Sequence, residues 1–171
     1  MAVELGRRFV LASGAGLAAL LGVSACSSPP PPPPPTLVNL SMTTAPDTNP
    51  NAAGQGAPVI VRVYQLNSAA GFEKAEFFRL LNQDTATLGS DVVKKDEYLL
   101  PPGESKTVKL EPGPTVKALG VFAAYRDFGH VNWRGVGEVP EHKTTDVLVK
   151  ADAKGIDVSS KPGPPPPKPA G

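Results

Sequence analysis

The amino-acid sequence predicts a mainly β domain, a two-sheet β-sandwich with one short helix added to it. Three observations predict this class. Apolar and polar residues alternate along short segments, β-branched residues dominate the strongest of these segments, and Gly/Pro turns separate them. Regular short strands bounded by such turns are typical of β-sandwiches. The central part of the chain, residues 36–160, is long enough to bury one core.

The strands are predicted from period-two patterns. Val38, Leu40 and Met42 alternate along the first strand, and the β-branched sequence PVIVRVYQL at 58–66 is the strongest strand signal. The tripeptides PPG and PGP separate strands in the middle of the chain. The seven predicted strands cover residues 37–44, 58–66, 91–100, 105–111, 116–126, 144–150 and 155–159.

One segment has a different period. Within GFEKAEFFRLL, residues 71–81, the apolar residues Phe72, Ala75, Phe78 and Leu81 recur at helical spacing. A helix of this length is marginal in water by itself. The pattern therefore predicts a helix whose apolar side packs on the sandwich.

The N-terminus has the pattern of an export signal. Arg7 and Arg8 precede a 15-residue apolar run, residues 9–23. As a helix this run spans only about 22 Å, whereas the hydrocarbon core of a bilayer is about 30 Å thick. A positive start, a short apolar run and small residues are typical of a secretory signal peptide. The arginine pair leaves both the general and the twin-arginine export routes open.

The signal ends at Val23-Ser24-Ala25-Cys26, which resembles a bacterial lipobox. This resemblance implies cleavage after residue 25 and a covalent lipid on Cys26, which is the only cysteine of the chain. The alternative is an ordinary signal peptide with an incidental cysteine. In lipoproteins of this kind an Asp after the cysteine favours retention at the inner membrane, so Ser27 favours an outer-membrane, lipid-anchored protein that faces the periplasm.

Proline-rich segments flank the central domain. Residues 26–35 contain seven consecutive prolines, which favour polyproline II and span about 22 Å, so we expect a stiff tether. Residues 161–171 (KPGPPPPKPAG) form a tail that we expect to be disordered, with a PxxP ligand as the alternative. The chain therefore divides into a signal peptide (1–25), the tether, the domain (36–160) and the tail.

Composition and charge exclude several function classes. After loss of residues 1–25 the chain has 15 basic and 15 acidic residues, so it lacks the basic surface that nucleic acids require. One cysteine allows no internal disulfide, and with two histidines it argues against a structural zinc site. Asp127 and His130 resemble part of a catalytic triad, but no G-x-S-x-G elbow accompanies them. We therefore expect no enzyme, no metal, no cofactor beyond the lipid and no small-molecule substrate.

Two features are candidates for binding a partner. The polar connection 45–58 is long for a compact domain, and such loops are often binding loops, although a tolerated surface insertion has the same appearance. Tyr125, Arg126 and Trp133 belong to residue types enriched at interface hot spots. For Trp133, a place in the core is an equally good interpretation.

Several short motifs follow one another along the central part of the chain. They are VRVYQL at 61–66, FEKAEFF at 72–78, LGSD at 88–91, PPGE at 101–104, GVFAAYRD at 120–127 and WR at 133–134. No single motif is specific by itself, but their order after the lipobox resembles the outer-membrane lipoprotein of bacterial type VI secretion systems, the TssJ (SciN) family. The likeness covers about residues 38–149.

This resemblance implies a transthyretin-like β-sandwich that anchors the secretion membrane complex to the outer membrane. The implied partner is the periplasmic part of the inner-membrane protein TssM, with TssL in the same complex. In the family, the loop between the first two strands contributes to TssM binding. Here that loop is 45–58, so the candidate contacts are Asp47, Asn49, Asn51 and Gln55.

Two alternatives remain open from the sequence. The chain is also compatible with a lipoprotein pilotin or chaperone of another secretion assembly, which would bind a secretin or pilus subunit. A periplasmic small-ligand carrier is the other alternative, and it requires a sizeable apolar pocket with convergent polar groups.

Overall fold

The structure, a computed structural model, describes residues 32–166 and confirms the predicted mainly β sandwich. It contains two four-stranded sheets and two short helices. The elements are β1 (Leu37–Thr44), β2 (Val59–Leu66), α1 (Ala70–Lys74), α2 (Phe77–Leu88), β3 (Val92–Leu100), β4 (Ser105–Leu110), β5 (Ala118–Ala123), β6 (Arg134–Glu138), β7 (Thr144–Asp152) and β8 (Gly155–Pro162).

Each sheet takes strands from distant parts of the sequence. The first sheet has the order β4-β1-β7-β8, in which β1 and β7 run parallel and the other pairs are antiparallel. The second sheet has the order β3-β2-β5-β6 and is antiparallel throughout. Because β1 and β2 belong to different sheets, the connection 45–58 crosses from one sheet to the other at one end of the sandwich.

The core lies between the sheets, where the period-two pattern of the sequence placed it. The alternating apolar residues of β1 and β2 that face it are at most 1% exposed. Burying one such Val or Leu side chain stabilises the fold by about 1.5–3 kcal/mol. The residues that carry the pattern are Val38, Leu40, Met42, Val59, Val61 and Val63.

The predicted helix over 71–81 is corrected by the structure, which has two helices separated at Ala75. The backbone of Ala75 is extended, with ψ 142°. The guanidinium of Arg134 on β6 donates hydrogen bonds to the carbonyl oxygens of Phe72 and Ala75. These carbonyls lie at the end of α1, where no further helical turn supplies a donor, so a side chain from another strand satisfies them.

The break also changes which aromatic residue is buried. Phe77 begins α2 and is 7% exposed, whereas Phe78, predicted to face the core, is 55% exposed. Phe77 packs against Phe122 of β5 with ring centroids 5.2 Å apart. The helices thus cover the outer face of the second sheet and form a second apolar cluster with it.

Strand β6 was missed by the periodicity because its inward-facing positions are glycines. A Cβ on Gly135 would lie 2.6 Å from a methyl group of Val158, and one on Gly137 would lie 3.2 Å from a methyl group of Val147. Glycine therefore lets β6 pack closely on the opposite sheet, and it carries no hydrophobic signal. β8 extends to Pro162, so the first two residues of the predicted tail belong to the sheet.

Candidate functional site

The two ends of the sandwich carry different segments of the chain. Leu37 pairs with Thr144 and Thr145 pairs with Pro162, so the tether and the tail both adjoin the same end, the tether end. Thr44, at the other end of β1, leads directly into the connection 45–58, so that end is the loop end. The eight residues of β1 separate the two ends by about 26 Å.

The loop 45–58 is held to the sandwich by two buried polar side chains. Thr48 is fully buried, and its hydroxyl donates to the carbonyl oxygen of Ala151 at 2.8 Å. Asn49 is 3% exposed; its amide nitrogen donates to the Pro58 carbonyl oxygen at 2.8 Å, and its carbonyl oxygen accepts from the Arg126 backbone N–H at 2.9 Å. Of the four predicted contact residues, Asn49 therefore positions the loop instead of facing a partner.

Asn51 shapes the tip of the loop. Its side-chain oxygen accepts hydrogen bonds from the backbone N–H groups of Ala53 and Gln55, at 2.9 and 3.0 Å. The backbone N–H of Asn51 donates to the Gln55 carbonyl oxygen at 2.8 Å. This closed turn leaves the Gln55 side chain exposed, and Asp47 is exposed at the base of the same loop. Asp47 and Gln55 are the predicted contacts that face solvent.

Gly56 brings the two arms of the loop together. A Cβ at this position would collide with the carbonyl oxygen of Pro46, which is a backbone atom and has little freedom to move. Close backbone approach of this kind requires glycine. The hydrogen bonds of its buried polar side chains and this glycine thus give the loop a fixed shape.

The connection between β5 and β6 packs beside this loop. Tyr125 is 3% exposed, and its hydroxyl donates toward the carbonyl oxygens of Asp152 and Gly155, both at 2.9 Å. Arg126 is exposed, and its backbone bond to Asn49 joins the two loops. Trp133 is half-buried among the aromatic residues around Phe77, as the core interpretation predicts in part, and its role as an interface residue stays a prediction.

The tether end is ordered by contacts between the proline segment and the domain. Nδ1 of His142 lies 2.9 Å from the Pro34 carbonyl oxygen, and the His142 backbone N–H donates to the Thr36 hydroxyl oxygen at 2.9 Å. Sequence reasoning gave His142 no role. The contact joins residues 108 positions apart, a relation that no local pattern contains.

A buried carboxylate ties α2 to the second sheet. Asp84 on α2 accepts hydrogen bonds from the Tyr64 hydroxyl at 2.9 Å and from Lys95 Nζ at 2.8 Å, and Arg62 lies 3.7 Å away. Burial by itself would raise the pKa of Asp84, but the hydrogen bonds from Lys95, Tyr64 and the Thr85 backbone outweigh it and hold the pKa below its ordinary value. Burial and the hydrogen bond to Asp84 both raise the pKa of Tyr64.

The histidine–aspartate pair of the sequence lies on the surface. His130 Nδ1 is 2.6 Å from a carboxylate oxygen of Asp127, and both side chains are mostly exposed. The hydrogen bond with Asp127 raises the pKa of His130. Among residues 32–166, no cluster of His, Cys, Asp and Glu has the arrangement of a metal site.

Cys26 lies outside the described residues, as do the signal peptide and the first prolines of the tether. Within the part of the chain that the structure describes, no helix has the length and apolar character needed to cross a membrane.

These features define a class: a β-sandwich domain on a proline tether that presents a shaped polar loop at its opposite end. A family model, described as type VI secretion lipoprotein, VasD, EvfM and TssJ, matches residues 36–154. The chain therefore belongs to the type VI secretion lipoprotein (TssJ) family, whose members are structural components of a secretion system.

Solved structures agree with this assignment. The type VI lipoprotein TssJ1 from Pseudomonas aeruginosa is similar over 77% of this chain and 100% of its own, at 38% identity and a TM-score of 0.73. Serratia marcescens Lip, a membrane-bound component of the type VI secretion system, is similar over 72% and 97%, at 25% identity and a TM-score of 0.67.

A third similar structure is described as the type VI protein TssM C-terminal domain from EAEC. It covers 71% of this chain and 98% of its own, at 26% identity and a TM-score of 0.59. Comparison with the sequences of curated proteins gives no match.

Proposed function

We propose that this lipoprotein anchors the membrane complex of a type VI secretion system to the outer membrane by binding the periplasmic domain of TssM, with TssL in the same complex. Acyl chains on Cys26 provide the attachment. Two or more chains hold a protein stably on a bilayer, whereas one gives marginal binding. The net charge of zero after loss of residues 1–25 adds no attraction to anionic lipids, so the acyl chains carry the attachment alone.

The two-ended arrangement of the sandwich carries this proposal. The tether adjoins one end and the loop 45–58 lies at the other, about 26 Å away along β1. A domain held from the tether end presents the loop end to the periplasm. The loop has a fixed shape before binding, which reduces the entropy lost when a partner docks.

The exposed residues of the loop are the proposed contacts. Asp47 and Gln55 face solvent, and Asn51 fixes the turn that presents Gln55. Arg126, exposed and bonded through its backbone to Asn49, places a cationic side chain beside the loop. Polar and charged groups at the rim of an interface give specificity and registration.

Titration calorimetry tests partner binding directly. The mature chain with Cys26→Ser is titrated with the periplasmic domain of the TssM protein encoded with it, and we expect saturable binding. Asp47→Ala and Gln55→Ala should each lower the affinity about 5- to 10-fold. Glu138→Ala, at an exposed position on β6 beside Thr144 at the tether end, is the matched control and should leave the affinity unchanged.

Two outcomes contradict the proposal at different levels. Unchanged affinity in both loop variants refutes the loop as the binding site but keeps TssM as the partner. No binding by a well-folded chain refutes TssM as the partner and favours the pilotin or ligand-carrier alternative, while family membership is unaffected.

Membrane attachment is tested separately by fractionation. The wild-type chain is expected in the outer-membrane fraction, and Cys26→Ser is expected in the soluble periplasmic fraction, because the variant lacks the acyl chains that provide the proposed attachment. If the Cys26→Ser variant stays with the outer membrane, the lipid is not the anchor.

A further inference from the structure

The proline tether does not leave the sandwich freely. Residues 33–35 form one wall of a cleft of about 210 Å³ whose other walls include Pro112, Pro114 and His142. Pro112 is buried and Pro114 exposed, so one wall belongs to the domain interior and the other to its surface. Residues 33–35 thus lie against the domain immediately before β1 begins.

One side-chain hydrogen bond holds the seated segment. His142 Nδ1 lies 2.9 Å from the carbonyl oxygen of Pro34. A carbonyl oxygen only accepts, so Nδ1 carries the hydrogen and donates it. The His142 backbone is held in turn, because its N–H donates to the buried Thr36 at 2.9 Å.

The backbone of His142 is in a conformation that L-residues rarely adopt, with φ 58°. This conformation costs about 1 kcal/mol or more in a residue other than glycine. The turn is fixed on both sides, by the Thr36 bond and by the Leu37 N–H, which donates to the Lys143 carbonyl oxygen at 3.0 Å. It presents the imidazole to the tether.

The chemistry of the cleft matches a polyproline II ligand. Such a segment has no internal hydrogen bonds and proline has no N–H, so its recognition relies on donors to its carbonyls and on apolar surfaces against its rings. His142 supplies the donor, and Pro112 and Pro114 add apolar surface to the cleft that residues 33–35 also line.

We propose that His142 binds the chain's own tether as a polyproline II ligand, and that this tether site fixes the direction in which the tether leaves the domain. The site lies at the tether end and is independent of partner binding. Its consequence for presenting the loop to the periplasm rests on the proposed function.

Distances between spin labels test the site in the mature chain with Cys26→Ser, which removes the only native cysteine. One label replaces the exposed Pro32, and the other replaces the exposed Lys150 on β7. We expect one narrow distance distribution. His142→Gly keeps the positive φ and the backbone bond to Thr36 but removes the imidazole, so it should broaden the distribution at least twofold.

Two further variants complete the comparison. Pro114→Ala removes part of an exposed wall and should broaden the distribution by a smaller amount. His130→Gly alters the other histidine, which lies on the loop between β5 and β6, and should change nothing. Thermal unfolding of every variant verifies that the labelled domain is folded.

A broad distribution in the parent chain, or an unchanged width in both His142→Gly and Pro114→Ala, would overturn the site. If His142→Gly does not fold, Pro114→Ala decides the outcome alone. Loss of TssM binding in the calorimetric experiment leaves these widths unaffected, so failure of the proposed function and failure of the tether site are distinguishable.

Discussion

The loop end and the tether end each hold a segment that lies outside the helices and strands, but they do so by different physical means. At the loop end, hydrogen bonds of the buried Thr48 and Asn49 fix a polar segment. At the tether end, the proline ring fixes φ of each residue covalently, and one side-chain donor, His142, orients the segment.

This difference predicts which substitutions should lower the stability of the domain and which should change only the direction of the tether. A buried polar side chain that loses its partners costs its full desolvation free energy, so changes inside the loop should lower the stability of the whole domain. The tether retains its stiffness without any contact to the domain. Substitutions of His142 should therefore alter the direction of the tether far more than the stability of the domain.

The largest expected effect is that of Asn49→Ala on the free energy of unfolding. The substitution removes two buried hydrogen bonds and places alanine at φ 50°, so we expect a loss of about 2–4 kcal/mol in chemical denaturation. Asn49→Gly accepts the same φ and should lose less. A loss below about 1 kcal/mol for Asn49→Ala would show that the loop is not fixed by this residue.

The contact between α2 and the second sheet provides a reference that lies away from both ends of the sandwich. Asp84→Asn should cost about 1–3 kcal/mol near neutral pH, because Lys95 loses its buried carboxylate partner. The folded-state pKa of Asp84 lies below its ordinary value of 3.8, so its contribution is complete above that value and is lost as pH falls through the folded-state pKa.

The difference in stability between wild type and Asp84→Asn should therefore shrink as the pH falls below the ordinary pKa of 3.8 and through the lower folded-state pKa. Denaturation curves at several pH values measure it. A difference that is constant over this range would show that the carboxylate charge does not tie α2 to the sheet.

The smallest expected effect on stability is that of Gln55→Ala at the tip of the loop. Its side chain is exposed, and its one side-chain contact, with Asn51, is long at 3.4 Å. We expect a change within about 0.5 kcal/mol in the free energy of unfolding, although TssM affinity falls. A larger destabilisation would show that Gln55, like Asn49, shapes the loop.

Local pattern determined much of the fold. The alternation along β1 predicted the strand and the residues that face the core, because a strand with one face in a core repeats its hydrophobic signal every second residue. For β2 the pattern predicted the strand but left its buried face open, and the structure places Val59, Val61 and Val63 in the core between the sheets. The length and polarity of 45–58 also singled out the loop, because loop length is a property of the chain itself.

The sequence pattern did not predict features that depend on contacts with residues distant in the chain. Arg134 satisfies carbonyls at the end of α1, a contact absent from the spacing in 71–81. Gly135 and Gly137 fit β6 against the opposite sheet, and glycine gives no hydrophobic period. Among the predicted contacts, Asn49 is buried and its side chain is hydrogen-bonded to the backbone of Arg126, whereas Gln55 is exposed. Both are polar residues of the same loop, so residue type alone could not distinguish the buried one from the exposed one.

The sequence by itself determined the mainly β class, the core-facing residues of the first strand, the position of the long loop and the likeness to the secretion lipoprotein family. Each of these depends on residue type at short spacing. Only the tertiary structure decided that tether and loop lie at opposite ends, which loop side chains face solvent, and that His142 holds Pro34. These depend on contacts between distant segments, which form only when both sheets assemble.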